Sequence, residues 1–277
     1  MNIIAIDIGN TNIKVALFLN DTEQYLKAIS GNDQDVKQQL ASLLRESWNQ
    51  IPLVPSAAIP VRDGVVVVSS VKPVWTQLVE DTVKETLSER IYLIGRDIPL
   101  PIETNVENPQ EVGTDRLVTA AAAFAVVEDA VVVADFGTAI TIDLVDDNGV
   151  FMGGIIAPGM AMGANALHTA TAKLPQVDVI RPDSVYGTNT RKAITAGLFY
   201  AAAGLLETMT RKYAEELGKW PHVIVTGNAA SILKDECEFV DSWVPELAVR
   251  GIVIAYKKHI YEKEHIDELD AEDRKGR

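Results

Sequence analysis

Two short stretches hold most of the side chains that could do chemistry. The first is Asp7-Ile8-Gly9-Asn10-Thr11-Asn12-Ile13-Lys14. Gly9 lets the backbone come close to a phosphate, and the Asn and Thr side chains and amides can donate to its oxygens. Asp7, at a strand end, suits a hydrated divalent cation, and Lys14 offsets phosphate charge. A plain hairpin turn would use the same Gly and Asn. The spacing is neither a Walker loop nor a Rossmann fingerprint. The second stretch, Asp135-Phe136-Gly137-Thr138-Ala139-Ile140-Thr141, repeats the Asp-x-Gly tip. Asp135 closes an apolar run, where a carboxylate is costly unless a cation or a hydrogen-bond network meets it. Thr138 and Thr141 are read onto one strand face. Two such tips in one chain favour phosphate binding over a pair of ordinary turns.

Between them lies Glu111-Val112-Gly113-Thr114-Asp115-Arg116. Asp115 can serve as a general base for an attacking hydroxyl, and Arg116 can grip a carboxylate or phosphate with two N–H groups. Equally, Thr114 or Asp115 can cap the helix that follows. Gly153-Gly154-Ile155-Ile156-Ala157-Pro158-Gly159-Met160 reads as a punctuated apolar segment leading into a helix. In Gly187-Thr188-Asn189-Thr190, Asn189 or Thr190 is placed to cap the next helix. Thr226-Gly227-Asn228-Ala229 follows a strand and could seat a base or ribose. His168, His222, His259 and His265 have no ligand spacing with the single Cys237, so a metal hydrolase is unsupported. A Gly-x-Ser-x-Gly elbow is also missing.

The elements that must carry these residues alternate. Strands are read at Ile3–Ile6, Ile13–Leu19, Val65–Val68, Ile91–Ile94, Val131–Ala134, Ile140–Val145 and Val223–Val225. Helices are read at Gln34–Trp48, Val74–Leu87, Leu117–Val127, Ala161–Ala172, Arg191–Leu217 and Leu247–Ile260. Asp147-Asn148-Gly149 is a hairpin turn. A strand ending Asp7-Ile8-Gly9 echoed by one ending Asp135-Phe136-Gly137 argues for a duplicated α/β fold, two similar domains facing across a cleft. The charged stretch from Lys263 is expected to be a frayed end.

The chain has 277 residues, 47% of them hydrophobic, and a net charge of −14. That is enough apolar material for real cores and the wrong charge for a phosphate-backbone binder, so no nucleic-acid partner is expected. One cysteine excludes an internal disulfide and fits a reducing compartment. The start lacks the basic segment of an export signal, and no run reaches the ~20 apolar residues of a membrane span. A cytoplasmic protein without a membrane partner is expected.

Six ordered motifs carry a resemblance. They are Asp7-Ile8-Gly9-Asn10-Thr11, Gly113-Thr114-Asp115-Arg116, Asp135-Phe136-Gly137-Thr138-Ala139-Ile140-Thr141, Gly153-Gly154-Ile155-Ile156-Ala157-Pro158-Gly159, Thr171-Ala172-Lys173-Leu174-Pro175 and Gly187-Thr188-Asn189-Thr190. From Asp7 to about Ala230 the chain resembles the type III pantothenate kinases, within the acetate and sugar kinase/Hsp70/actin superfamily. The resemblance implies two ribonuclease H-like (actin-like ATPase) domains, at 1–116 and 117–277, the latter with the dimer interface. It implies ATP-dependent phosphorylation of pantothenate to 4′-phosphopantothenate, the first step of coenzyme A synthesis. By similarity Asp7, Ile8, Gly9, Asn10, Thr11, Asn12, Ile13, Lys14 and Thr138 contact ATP, with Asp7 helping to hold Mg2+. Asp115 matches the catalytic base, and Gly113, Thr114, Asp115 and Arg116 line the pantothenate pocket. Asp135 matches the site of a monovalent cation, K+ or NH4+. Thr190 matches a pantothenate contact from the neighbouring subunit of a homodimer. Two positions depart from the family pattern. Val106 stands nine residues before Asp115 where many relatives have Tyr, and the late Thr-Gly-Gly turn reads Thr226-Gly227-Asn228.

Overall fold

The structure, a computed structural model, describes residues 1–54 and 61–275. It divides into two compact units, each built on its own sheet. Unit 1 comprises Met1–Pro101, Gln110–Ala122 and Ala248–Arg277; unit 2 comprises Ile102–Pro109 and Ala123–Leu247. The single division after residue 116 implied by the resemblance differs from these units in three respects. Residues Ile102–Pro109 go with unit 2, the first nine residues of the helix at 114–127 stay with unit 1, and the C-terminal helix returns to unit 1.

The sheet of unit 1 contains β1 (Ile3–Ile8), β2 (Asn12–Leu19), β3 (Thr22–Ser30), β4 (Val65–Ser70) and β5 (Ile91–Leu93), in the order β3-β2-β1-β4-β5. The β1/β2 and β2/β3 pairs are antiparallel; β1/β4 and β4/β5 are parallel. All of β1 is buried, which is why it reads as an unbroken apolar run. Ile4, Ile6 and Ile8 pack with α1 (Val36–Gln50) and α2 (Pro73–Leu87) through Leu40, Leu44, Val79 and Val83. Ile3 and Ala5 face the other way, in a cluster with Val118 of α3 (Thr114–Val127) and with Val249, Ile252 and Tyr256 of α6 (Leu247–Lys275). Strand alternation therefore assigns each side chain of β1 to one helical layer or the other.

Unit 2 repeats the plan. Its strands are β6 (Glu103–Thr104), β7 (Val131–Phe136), β8 (Ala139–Val145), β9 (Val150–Pro158), β10 (His222–Thr226) and β11 (Ser242–Trp243), in the order β11-β10-β7-β8-β9-β6. Reading β7, β8, β9, β10 and β11 against β1 to β5 gives the same order with the same senses. The duplication expected from the two Asp-x-Gly tips is thus a duplication of topology. Val132, Ala134, Phe136, Ile140 and Ile142 pack against Met160 of α4 (Met160–Thr169) and Phe199, Ala202 and Leu206 of α5 (Thr190–Leu217). Asn189 is the cap of α5, its side chain accepting from the Lys192 N–H at 2.9 Å. By length and composition alone α5 is apolar enough to cross a membrane, contrary to the sequence reading, but its apolar stripe is spent on the unit 2 core.

Besides the two-residue strands β6 and β11, which were not read, three elements depart from the sequence reading. β3 was not anticipated, because its residues are mostly exposed and polar at a sheet edge. The segment at 153–158, read only as a punctuated apolar stretch leading into a helix, is part of β9, its glycines disguising the strand. The charged stretch beyond Lys263 continues α6 to Lys275 instead of fraying; Glu, Lys, Leu and Ala are all good helix formers.

Cys237 is 2% exposed in the unit 2 core, and burial pushes its thiol up to about 11. At pH 8 the native protein should therefore react with a thiol reagent only as fast as it unfolds. Immediate stoichiometric labelling would contradict that burial.

Candidate active site

In unit 1 the reactive residues collect at the carboxyl ends of β1 and β4, on the side of the sheet that faces α3. Asp7, only 7% exposed, is in register with Lys14 on β2 and with Ser69 on β4. Register partners share a sheet face, so the Asp7 carboxylate has a cation and a hydroxyl as its cross-strand neighbours. The turn after β1 is closed by Gly9 N–H donating to the Asn12 carbonyl at 3.1 Å. Ile8 and Ile13 pair across the hairpin and are fully buried in the core, so only their main chain can serve a ligand.

α3 is pinned to this edge at its first residue. Ser69 Oγ donates to Thr114 Oγ1 at 3.1 Å, and Thr114 Oγ1 donates to the Ser70 carbonyl at 3.0 Å. Thr114 is therefore a tether to β4, and the alternative of Thr114 as a helix cap falls away. Asp115 follows in the first turn of α3, its Oδ1 accepting the Arg116 N–H at 2.8 Å. A Cβ on Gly113 would overlap that oxygen, so the Gly-Thr-Asp order is a packing requirement. Burial pushes the Asp115 carboxyl above the ordinary carboxylate range, against the lowering pull of the Arg116 N–H and guanidinium. A carboxylate of raised proton affinity, held at a helix start, is suited to accept a proton. A cavity of about 520 Å³ opens beside Gly113 and Thr114, the residues just before Asp115, and is lined also by Ser70, Thr76, Gln77 and Arg96 among others.

In unit 2, Asp135 on β7 is in register with Thr141 on β8 and with Thr226 on β10, which sets three oxygen-bearing side chains in one row. Asp135 Oδ1 is closed off from solvent. A Cβ on Gly137 would lie 3.3 Å from it, and one on Gly227 would overlap it. Gly227 has φ +99°, and the Ala229 N–H beyond it donates to the Phe136 carbonyl at 3.0 Å. An all-oxygen row against a glycine cradle fits a hard cation better than a soft one. Among the described residues no group of three or more His, Cys, Asp or Glu could hold a metal by itself. A single carboxylate such as Asp7, sharing the ion with phosphate oxygens, is the usual Mg2+ arrangement.

Thr138 lies exposed in the turn before β8, so strand alternation does not put it on a common face with Thr141 as the sequence reading had it. Thr190 is exposed in the first turn of α5, next to a cavity of about 610 Å³ lined by Ile180, Tyr186, Arg191 and Lys192 among others. Val106, just after β6, is partly buried and 3.5 Å from where a Cβ on Gly153 would stand. The positive φ of the late turn falls on Gly227 and not on Asn228. Ser69 and Thr226 were missed because a lone hydroxyl in a strand has no signature until its register is known.

Two α/β domains of matching topology, each with an Asp-x-Gly turn after its first strand, make up the duplicated ribonuclease H-like fold that the resemblance implies. A family model described as type III pantothenate kinase matches residues 3–212. The chain belongs to the type III pantothenate kinase family. A relative of that name from Syntrophotalea carbinolica is 35% identical over 258 residues, covering 93% of this chain and 99% of its own. One from Dehalococcoides mccartyi is 33% identical over 256 residues, covering 92% and 97%. Among solved structures, a Campylobacter jejuni protein described as a Baf family transcriptional activator superposes with a TM-score of 0.55 at 20% identity, covering 95% of this chain and 99% of that one. That likeness speaks for the fold alone.

Proposed function

We propose that this protein transfers the γ-phosphoryl group of ATP to the primary hydroxyl of pantothenate, giving 4′-phosphopantothenate and ADP at the entry to coenzyme A synthesis. The observation that carries the reading is membership of the family over residues 3–212, which include Asp7, Asp115 and Asp135. Phosphoryl transfer asks a protein for positioning, charge neutralisation and a group to receive the nucleophile's proton. The Asp7–Lys14 turn and Thr138 hold the nucleotide phosphates. Asp115 takes the hydroxyl proton as the oxygen bonds to phosphorus and the bond to ADP breaks. Its burial and raised proton affinity support that role. Gly113, Thr114 and Arg116 form the wall against pantothenate, and the cavity beside Gly113 is of a size that small ligands use.

Asp7 would help hold Mg2+ carried in with ATP, which would neutralise phosphate charge, and Asp135 would hold K+ or NH4+, which would add a fixed positive charge. The enzyme works as a homodimer in which Thr190 of one copy contacts the pantothenate of the other, and it resides in the cytoplasm. The exposed apolar residues Ile180, Val185 and Tyr186 near the start of α5 support a buried interface there.

The test is ADP release from Mg-ATP with and without pantothenate, in K+ and then in Na+ buffer. Turnover should require pantothenate and rise when Na+ is replaced by K+ or NH4+, and Asp135→Asn should flatten that response. Equal rates in all three salts would remove the cation role of Asp135. ADP release with a different small alcohol only would overturn pantothenate and implicate Val106.

A further inference from the structure

The first turn of α2 makes contacts that the family motifs do not account for. Lys72, immediately before Pro73, has its ammonium 3.2 Å from the centre of the Trp75 ring, and its Nζ also donates to the Asn10 carbonyl at 3.2 Å. Ordering a lysine side chain forfeits up to ~2 kcal/mol of rotamer entropy, so two simultaneous contacts on one partly exposed ammonium call for a reason. Trp75 itself is 8% exposed and lies directly under Gly31, where a Cβ would overlap its ring. The Gly31 N–H in turn donates to the Thr11 carbonyl at 3.0 Å. Two successive carbonyls of the β1–β2 turn, those of Asn10 and Thr11, are thus held by groups that Lys72 and Trp75 supply or support.

In a trans peptide the carbonyl and the next N–H point in opposite directions. Holding the Asn10 carbonyl therefore also fixes the direction of the Thr11 N–H. Holding the Thr11 carbonyl constrains the following peptide as well. A turn whose amides are to meet phosphate oxygens must be set in advance, because amides that have to rotate on binding cost affinity.

We propose that Lys72, stacked on Trp75, is a positioning residue for the nucleotide phosphates, acting by fixing the Asn10–Thr11 peptide. This rests on reading the β1–β2 turn as the phosphate loop of the kinase. In unit 1 it explains why Gly31 has to be a glycine, and why a long cation precedes the proline that starts α2.

The experiment compares the full-length wild type with Lys72→Met and Lys72→Arg. Kd for Mg-ATP is read by calorimetry, and KM for ATP, KM for pantothenate and kcat by ADP release. Lys72→Met keeps an aliphatic stem over Trp75 and loses the donor, and should weaken ATP by about tenfold in both Kd and KM, as expected for one charge-assisted hydrogen bond. KM for pantothenate and the melting temperature should stay near wild type, and Lys72→Arg should restore ATP affinity. Wild-type binding of ATP that Lys72→Met leaves unchanged, or a loss that Lys72→Arg does not repair, would overturn this inference and leave the kinase reading standing. A wild type that binds no ATP would take both away.

Discussion

Replacing Asp115 with Asn should lower kcat by about 10²–10⁴-fold, the usual worth of a general base, while the Kd for ATP stays at its wild-type value. The same substitution should make the protein more heat-stable at pH 7. Both effects come from one cause. Burial holds the Asp115 carboxyl above the ordinary carboxylate range in the folded state. Folding therefore favours the protonated form. The stability this confers is fully present below the unfolded pKa near ~4 and is lost as pH rises through the raised folded value. At pH 7, well above the unfolded value, the buried acid is therefore a burden that a neutral amide of the same shape does not carry. The thermal gain of Asp115→Asn should accordingly shrink toward zero as the comparison moves to acid pH. Wild-type kcat/KM should fall on the acid side at a pH above the ordinary carboxylate range. Unchanged turnover in Asp115→Asn would end the base assignment; a variant less stable than wild type at pH 7 would contradict the burden of burial.

The sequence revealed the parts of this site that are local and hid the parts that are not. Asp7 and Asp135 stand out because each ends an apolar run at a Gly turn, and the two tips announce the repeated topology. Asp115 could be either base or cap on sequence grounds. Thr114, the other candidate cap, is removed by its hydroxyl, which is engaged with Ser69 and Ser70 some 44 residues away. No local pattern reports a contact of that separation. The unit boundary was hidden for the same reason, since α6 joins unit 1 through Val249, Ile252 and Tyr256 in a cluster with Ile3 and Ala5 of the first strand. β3 and β9 were obscured differently: one is polar at a sheet edge and the other is broken up by glycines, so neither shows clean alternation.

The late turn shows how backbone geometry relocates an expectation. With Thr226-Gly227-Asn228 in place of Thr-Gly-Gly, attention falls on whether Asn can take a conformation that favours glycine. The residue with φ +99° is Gly227, and it is retained. A methyl group there would be strained by φ, would stand 2.6 Å from the Phe136 backbone, and would overlap Asp135 Oδ1. Strain and overpacking each cost about 1–3 kcal/mol, so Gly227→Ala should lose about 2–6 kcal/mol. At ~2–4 °C per kcal/mol for a protein of this size, the melting temperature should drop by about 4–24 °C. The carboxylate must move to admit the methyl group, so any K+ activation that depends on Asp135 should disappear in the same variant. Asn228→Gly should do neither, costing at most about 1 kcal/mol through the freer unfolded chain. Differential scanning calorimetry and K+ titration of the two variants make the comparison. Gly227→Ala with wild-type melting and wild-type K+ response would mean that this turn does not shape the Asp135 site.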